Sequence, residues 1–187
     1  MTARETGLPP ILGENPRVLI LGSFPSRMSL DRQWYYANPR NHFWPVMKGL
    51  FALGGDDPAY LAESLKSRGI AVWDVISSRR FQPGSMDRDI REETFNDIAG
   101  LVTSHPSIHF IGLNGTRAWD SFRRAMRKSD LPAPPAARRL PSTSPANARY
   151  TLARKVAAWR VILEILEGAG EDRYFVCNPG PRSTGRK

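Results

Sequence analysis

Four short apolar runs recur along the chain, and stretches of ten or more residues with helical spacing follow them. Val18-Leu19-Ile20-Leu21 is unbroken and reads as a strand buried on both faces, running from Arg17 to Gly22. Ile70 to Val75, Ile108 to Gly112 and Ala137 to Leu140 supply a second, third and fourth strand. Phe43 to Leu53 has the period of a helix, with Gly54-Gly55 as its stop. Asp57-Pro58 opens the next, an N-cap followed by a proline at the first helical position, and Gly69 closes it after about Ser67. Further helices are predicted from Ile90 to about Thr103, with Phe95, Ile98, Leu101 and Val102 inward, and from Thr116 to Arg127. The last spans about Tyr150 to Glu167, where Leu152, Val156, Trp159, Leu163 and Leu166 recur on one face.

Strands alternating with helices predict an α/β fold: an open sheet of about four mainly parallel strands, covered on both faces by helices. Ligands of such sheets bind beyond the carboxyl ends of the strands. The loops 22–41, 74–88 and 140–147 would meet there. Residues 23–41 are a long loop, and a loop of that length is usually functional. Residues 1–16 read as an irregular, flexible arm, residues 77–88 as a polar loop, and 129–137 as a Pro/Ala-rich connection. After about residue 167 come a possible edge strand, Tyr174-Phe175-Val176, and a Gly/Pro/Arg tail expected to be mobile over 178–187. A single domain with its core in about 17–167 is the expectation for 187 residues.

Composition narrows the classes. The chain is 41% hydrophobic and 24% charged, with neither a bilayer-length apolar run nor a signal-peptide pattern, which suggests a soluble, intracellular, cytoplasmic protein. Its one cysteine, Cys177, excludes an internal disulfide and a multi-thiolate iron–sulfur cluster within the chain. The three histidines are too sparse to suggest a metal cluster, and no phosphate-cradling glycine loop is present. Lys plus Arg is 27 against 18 for Asp plus Glu, a net charge of +9 that favours a polyanionic partner such as nucleic acid.

The candidate chemistry lies in two loops. Gly22-Ser23-Phe24-Pro25-Ser26 follows the first strand, and a glycine there lets backbone N–H groups approach a ligand; an ordinary turn is the alternative. Of Trp34, Tyr35 and Tyr36, two can anchor the loop while Tyr36 presents a face for stacking on a base. In Asn38-Pro39-Arg40-Asn41-His42-Phe43-Trp44, Asn41 is either a helix cap or an amide that holds a water, sugar or base edge; Arg40 is a phosphate contact or a solvated charge. Leu140 to Asn147, LPSTSPAN, sets small hydroxyls between stiff prolines, a composition suited to phosphate oxygens or to a simple turn. Arg79 and Arg80, on the loop after the second strand, are the arginines expected nearest a nucleic acid; Arg123 and Arg124 fit a solvated helix face.

Taken together, GSFPS after a strand, YYANPRNHFW closing the first loop and LPSTSPAN before the last helix resemble the uracil-DNA glycosylase superfamily, over about residues 17–167 and with most likeness to its hypoxanthine-DNA glycosylase branch. The resemblance implies a three-layer α/β/α domain that flips a deaminated base from duplex DNA and hydrolyses its N-glycosidic bond, with no cofactor, no metal and no membrane partner, acting as a monomer. Several branches carry a water-activating Asp or Asn where this chain has Phe24. The resemblance therefore shifts water activation to Asn41 and the expected substrate from uracil to hypoxanthine. It also makes Tyr36 the stacking aromatic and Asp74 the base-reading residue. Pro141, Ser142, Thr143 and Ser144 become the loop that pinches phosphates, with Gly22 to Ser26 as the backbone cradle.

Asp74 can be argued chemically too. An ionised carboxylate only accepts, so it suits the N1–H of hypoxanthine and opposes the N1 acceptor of adenine; the N3–H of uracil would satisfy it equally. Capping the following turn is the alternative role. A uracil- or xanthine-preferring enzyme of the same fold, or a catalytically inactive damage-binding protein, are the other readings that Phe24 leaves open.

Overall fold

The computed structural model describes residues 4–80, 92–127, 129, 131 and 134–168. The edge strand expected at 174–176, Cys177, the tail, and residues 81–91 of the expected loop and helix lie outside them. Four parallel strands form the main sheet: β2 (Val18–Gly22), β3 (Ile70–Asp74), β6 (Phe110–Asn114) and β7 (Ala136–Leu140), in the order β3-β2-β6-β7. Every residue of β2 is buried, because helices cover both faces. Val18 and Ile20 point into a core with α2 (Phe43–Phe51), α3 (Pro58–Lys66), α6 (Leu152–Trp159) and α7 (Val161–Leu166). Leu19 and Leu21 point the other way, against α4 (Ile98–Ser104) and α5 (Thr116–Met126). The expected α/β/α sandwich is therefore present. Strand order reverses between β2 and β6, and such a reversal opens a crevice at the carboxyl ends of the two strands.

Three expectations change. A second sheet, antiparallel, joins β1 (Arg4–Thr6), β4 (Ile76–Arg80) and β5 (Glu93–Phe95) in the order β1-β4-β5. The supposed irregular arm thus contributes a strand, and beyond it Leu8 and Ile11 are buried in the core while Ile11 bridges Val72. The polar stretch after residue 76 begins as a strand because Arg4 and Thr94 give its Ser78 hydroxyl partners. The helix expected from residue 90 starts only at Ile98, since 93–95 pair with β4 and the Asp97 side chain then accepts from Gly100 N at 2.8 Å. Within the long loop, Ser26 caps a short helix, α1 (Arg27–Arg32), by accepting from Ser29 N.

Other signals hold locally. Asp57 caps α3 with Pro58 behind it, accepting from Tyr60 N at 2.7 Å. The final helical segment divides at Arg160 into α6 and α7, with Thr151 capping the first. Trp159 sits at the division, fully buried, edge-on to Phe43 at 6.0 Å, and its Nε1 donates to Pro141 O at 2.9 Å. One ring thereby ties α6 to α2 and to the start of the 140–147 loop. No helix of the described residues is long and apolar enough to cross a membrane.

Trp159→Ala removes both that packing and the indole donor. Chemical denaturation of the variant should show a loss of roughly 3–5 kcal/mol; a loss below about 1 kcal/mol would mean that the loop is anchored elsewhere.

Candidate active site

Parallel register places Gly22 beside Asp74, so two strand ends deliver a glycine and a carboxyl to one point. A Cβ on residue 22 would collide with Asp74 Oδ1 and come within 3.0 Å of Tyr36 Oη. Glycine is required there by the close approach, not by its backbone angles. Past the strand, Val75 N and Ile76 N donate to the carbonyls of Gly22 and Ser23 at 2.9 and 3.0 Å. The N–H groups of Ser23 and Phe24 find no acceptor among the described residues. Pro25 is buried, and Ser26 is committed to its capping role.

Asp74 is only 3% exposed, and its Oδ2 has no hydrogen-bond partner among the described residues. Desolvation pushes its carboxyl up to about 7. Its side chain does not cap the following turn; Asn96 does the local work instead, donating Nδ2 to Asp74 O at 2.8 Å. His42 Nδ1 is the second buried atom without a partner among the described residues.

The aromatic triplet divides as its chemistry allows. Trp34 stacks flat on Trp44 with centroids 4.9 Å apart and an interplanar angle of 3°. Tyr35 is buried and donates its hydroxyl to Leu8 O at 3.1 Å. Tyr36, expected as an exposed face, is half-buried: one side of its ring lies on Phe43, with centroids 3.9 Å apart and planes 19° from parallel. Its backbone is left-handed, at φ 55°, a conformation that costs a non-glycine residue on the order of 1 kcal/mol or more. Burial and the adjacent Asp74 raise its phenol above the ordinary tyrosine value, so it stays protonated.

Asn114, read from sequence only as part of a turn, joins the loops. At the end of β6 its Nδ2 donates to Tyr36 Oη (3.1 Å) and to Thr143 Oγ1 (2.9 Å), while its Oδ1 accepts from Thr143 N (2.9 Å). Thr143 O in turn accepts from His42 N at 2.9 Å. The loops after β2, β6 and β7 are thus fastened through one carboxamide. A side-chain amide at the carboxyl end of a strand, beside the point where strand order reverses, is the signal that could have singled it out. Gly115 follows with φ 93°, where a Cβ would press to 2.7 Å from Ser142 Cβ.

The remaining candidates separate. Thr143 is fully buried and holds the loop; a duplex cannot touch it, contrary to the expectation. Pro141, Ser142 and Ser144 are half-exposed on the same loop, which is shaped by Ser144 N donating to Ser142 Oγ and Asn147 Nδ2 donating to Ser142 O. Asn41 Oδ1 accepts from Phe43 N at 2.9 Å in a tight turn just ahead of α2, whose N-cap is His42 rather than Asn41; one oxygen lone pair and Nδ2 remain for another partner. Arg40 is exposed nearby. Arg79, expected near a polyanion, is instead drawn inward: its Nε is 3.0 Å from Glu5 Oε2 and its guanidinium lies 4.3 Å over the Phe24 ring. Arg80 is half-exposed beside Glu92. No group of three or more metal-binding side chains occurs among the described residues. An open cleft of about 920 Å³ lies at the amino ends of β2 and β3, away from this site, beside Arg17, Lys66 and Glu167, and mixes charges of both signs.

Comparison with known proteins gives one answer. The family model for the uracil DNA glycosylase superfamily matches residues 9–166. Hypoxanthine DNA glycosylase of Methanosarcina acetivorans is 34% identical over 84% of this chain and 97% of its own length. The enzyme of the same name from Methanosarcina barkeri is 30% identical, over 66% and 80% respectively. A solution NMR structure of a Methanosarcina acetivorans protein, provisionally called a uracil DNA glycosylase, superposes with a TM-score of 0.72 at 32% identity, covering 88% of this chain and 99% of that one.

A carboxyl neutral in the fold but ionised when unfolded sets a pH dependence. Stability is full below the unfolded value near 4 and falls as pH rises toward about 7, because only the unfolded chain ionises freely across that window. Asp74→Asn should therefore gain stability relative to the parent, by a few kcal/mol at pH 8 and by almost nothing at pH 4. Urea titrations at both pH values measure it; an equal difference at the two would show that Asp74 is already ionised.

Proposed function

The chain belongs to the uracil DNA glycosylase superfamily, and from that membership we propose that it is a monofunctional DNA glycosylase which removes hypoxanthine from deoxyinosine and leaves an abasic site. The observation that carries the choice of base is the buried Asp74 oxygen without a partner, at the strand end beside Gly22. Above about pH 7, where Asp74 is ionised, a lesion base seated there meets a group that accepts from N1–H and opposes the N1 lone pair of adenine. Flipping a deaminated, mispaired base costs only a few kcal/mol, so weak pairing and this edge act together.

In the reaction the bond between the sugar C1′ and the purine N9 breaks, and the electron pair leaves with the base. The N–H groups of Ser23 and Phe24, without acceptors among the described residues, are assigned to donate to charge growing on it. A water held by Asn41 adds to C1′, and its proton is carried away toward the departing base. Arg40, Pro141, Ser142 and Ser144 are the residues assigned to the DNA backbone on the exposed rim. Arg79, tied to Glu5 and Phe24, holds the cradle in place. The protein is assigned to the cytoplasm, acting as a monomer on chromosomal DNA.

Duplexes carrying deoxyinosine, uracil or xanthine opposite each normal base, treated with alkali after incubation, should be cleaved most at deoxyinosine; cleavage at none of them would refute the assignment. Asn41→Ala should slow base release by on the order of 10²-fold with DNA binding retained. Lys155 is buried on α6, with its ammonium shifted below the ordinary lysine range by desolvation. Borohydride should trap no adduct; an adduct lost in Lys155→Ala would replace direct hydrolysis.

A further inference from the structure

Asn114 donates to Tyr36 Oη, and this fixes what the phenol can offer. The bond occupies a lone pair on the oxygen and leaves the O–H as the group that Tyr36 can direct elsewhere. That oxygen lies over the strand end, 3.0 Å from where a Cβ of Gly22 would be, and Asp74 Oδ1 crowds the same position. A donor and a carboxyl, whose other oxygen, Oδ2, lacks a partner among the described residues, therefore meet at the point where β2 and β3 end. Stacking on Phe43 and a left-handed backbone hold the ring so that its hydroxyl, rather than a free ring face, is presented.

We infer that Tyr36 reads the flipped base through its hydroxyl, which donates to the C6 oxygen of hypoxanthine while Asp74 accepts from N1–H, and that Asn114 is the positioning residue that aims it. This rests on the glycosylase reading above and extends it from one group to a pair. The pair matches the H–N–C=O edge of hypoxanthine. Adenine presents the inverse, an acceptor at N1 and a donor at C6, so with Asp74 ionised both contacts become clashes of like groups. A site built to hydrogen-bond one pattern rejects its inverse strongly, because its buried polar groups would be left unpaired. Guanine carries the same edge with an added amino group, and its firm pairing with cytosine keeps it in the stack. The donor also stabilises charge that collects on the C6 oxygen as the purine leaves, so it contributes to the rate as well as to selection.

The test compares single-turnover release of hypoxanthine and of 6-thiohypoxanthine from matched duplexes. The thio base keeps N1–H but offers a sulfur that accepts poorly. Tyr36→Phe retains the ring and its stack on Phe43. It should lose roughly 10- to 100-fold on hypoxanthine, and the loss should shrink to a few-fold on the thio base. Asn114→Ala should show the same selective loss added to a general one from the loosened Thr143 loop. An equal loss on both bases in Tyr36→Phe, or none on hypoxanthine, would overturn the pair while leaving the glycosylase assignment intact. A parent enzyme that releases neither base would overturn both.

Discussion

Burying a carboxyl with an unpaired oxygen costs several kcal/mol unless the group gives up its charge, and the strand ends of this protein are arranged around that burden at Asp74. Desolvation is the cause of its shift, and no cation stands by to offset it. Parallel pairing fixes Gly22 beside it, which is why residue 22 has no side chain. The carbonyls around it are used: Asn96 takes that of Asp74, and Val75 and Ile76 take those of Gly22 and Ser23. Among the described residues, the carboxyl and the N–H groups of Ser23 and Phe24 are left without partners. A lone buried acceptor is poor design for stability and good design for a donor that arrives with a ligand.

The second constraint is mechanical. Three loops leave three strands and would otherwise move independently. Asn114 spends all three of its described hydrogen bonds on two of them, and the His42–Thr143 backbone bond adds the start of α2. Trp159 then joins the loop at Pro141 to the helical layer. The left-handed Tyr36 is sustained by this fastening, since the stack on Phe43 and the bond from Asn114 hold both ends of its side chain. Strain of that kind persists only where its surroundings over-determine it.

Much of this was legible in the chain. Buried strands read as unbroken apolar runs, so β2 and β3 emerged with nearly their true bounds, and Asp57-Pro58 marked the start of α3 correctly. The strand-end loops followed from the sheet rule, and Asp74 within them from the family resemblance. What escaped was non-local. β1 and most of β4 are polar, and their pairing with each other spans more than 70 positions, which no periodicity records. Thr143 and Ser142 are adjacent small polar residues of one loop, yet one is fully buried and the other half-exposed, because only Thr143 faces Asn114. Asn114 itself looked like half of an Asn-Gly turn, since its partners come from two other loops.

Charge counting misleads in the same way. The arginine excess suggests a nucleic-acid face, but several arginines serve the fold. Arg79 and Arg27 share Glu5, and Arg124 and Arg117 share Glu93. The first of these clusters explains residue 24. Where other branches place a polar water activator, this chain has a ring that lies under the Arg79 guanidinium. Phe24 is therefore not a gap in a polar site. It belongs to a chain of contacts running from Glu5 on β1 through Arg79 on β4 to the loop after β2, which binds the small sheet to the cradle of the large one. A carboxylate at position 24 would meet Arg79 as an ion-pair partner and be held by it. The ring at position 24 and the added strands are thus two aspects of one packing solution, in which the small sheet stiffens the backbone of the first loop.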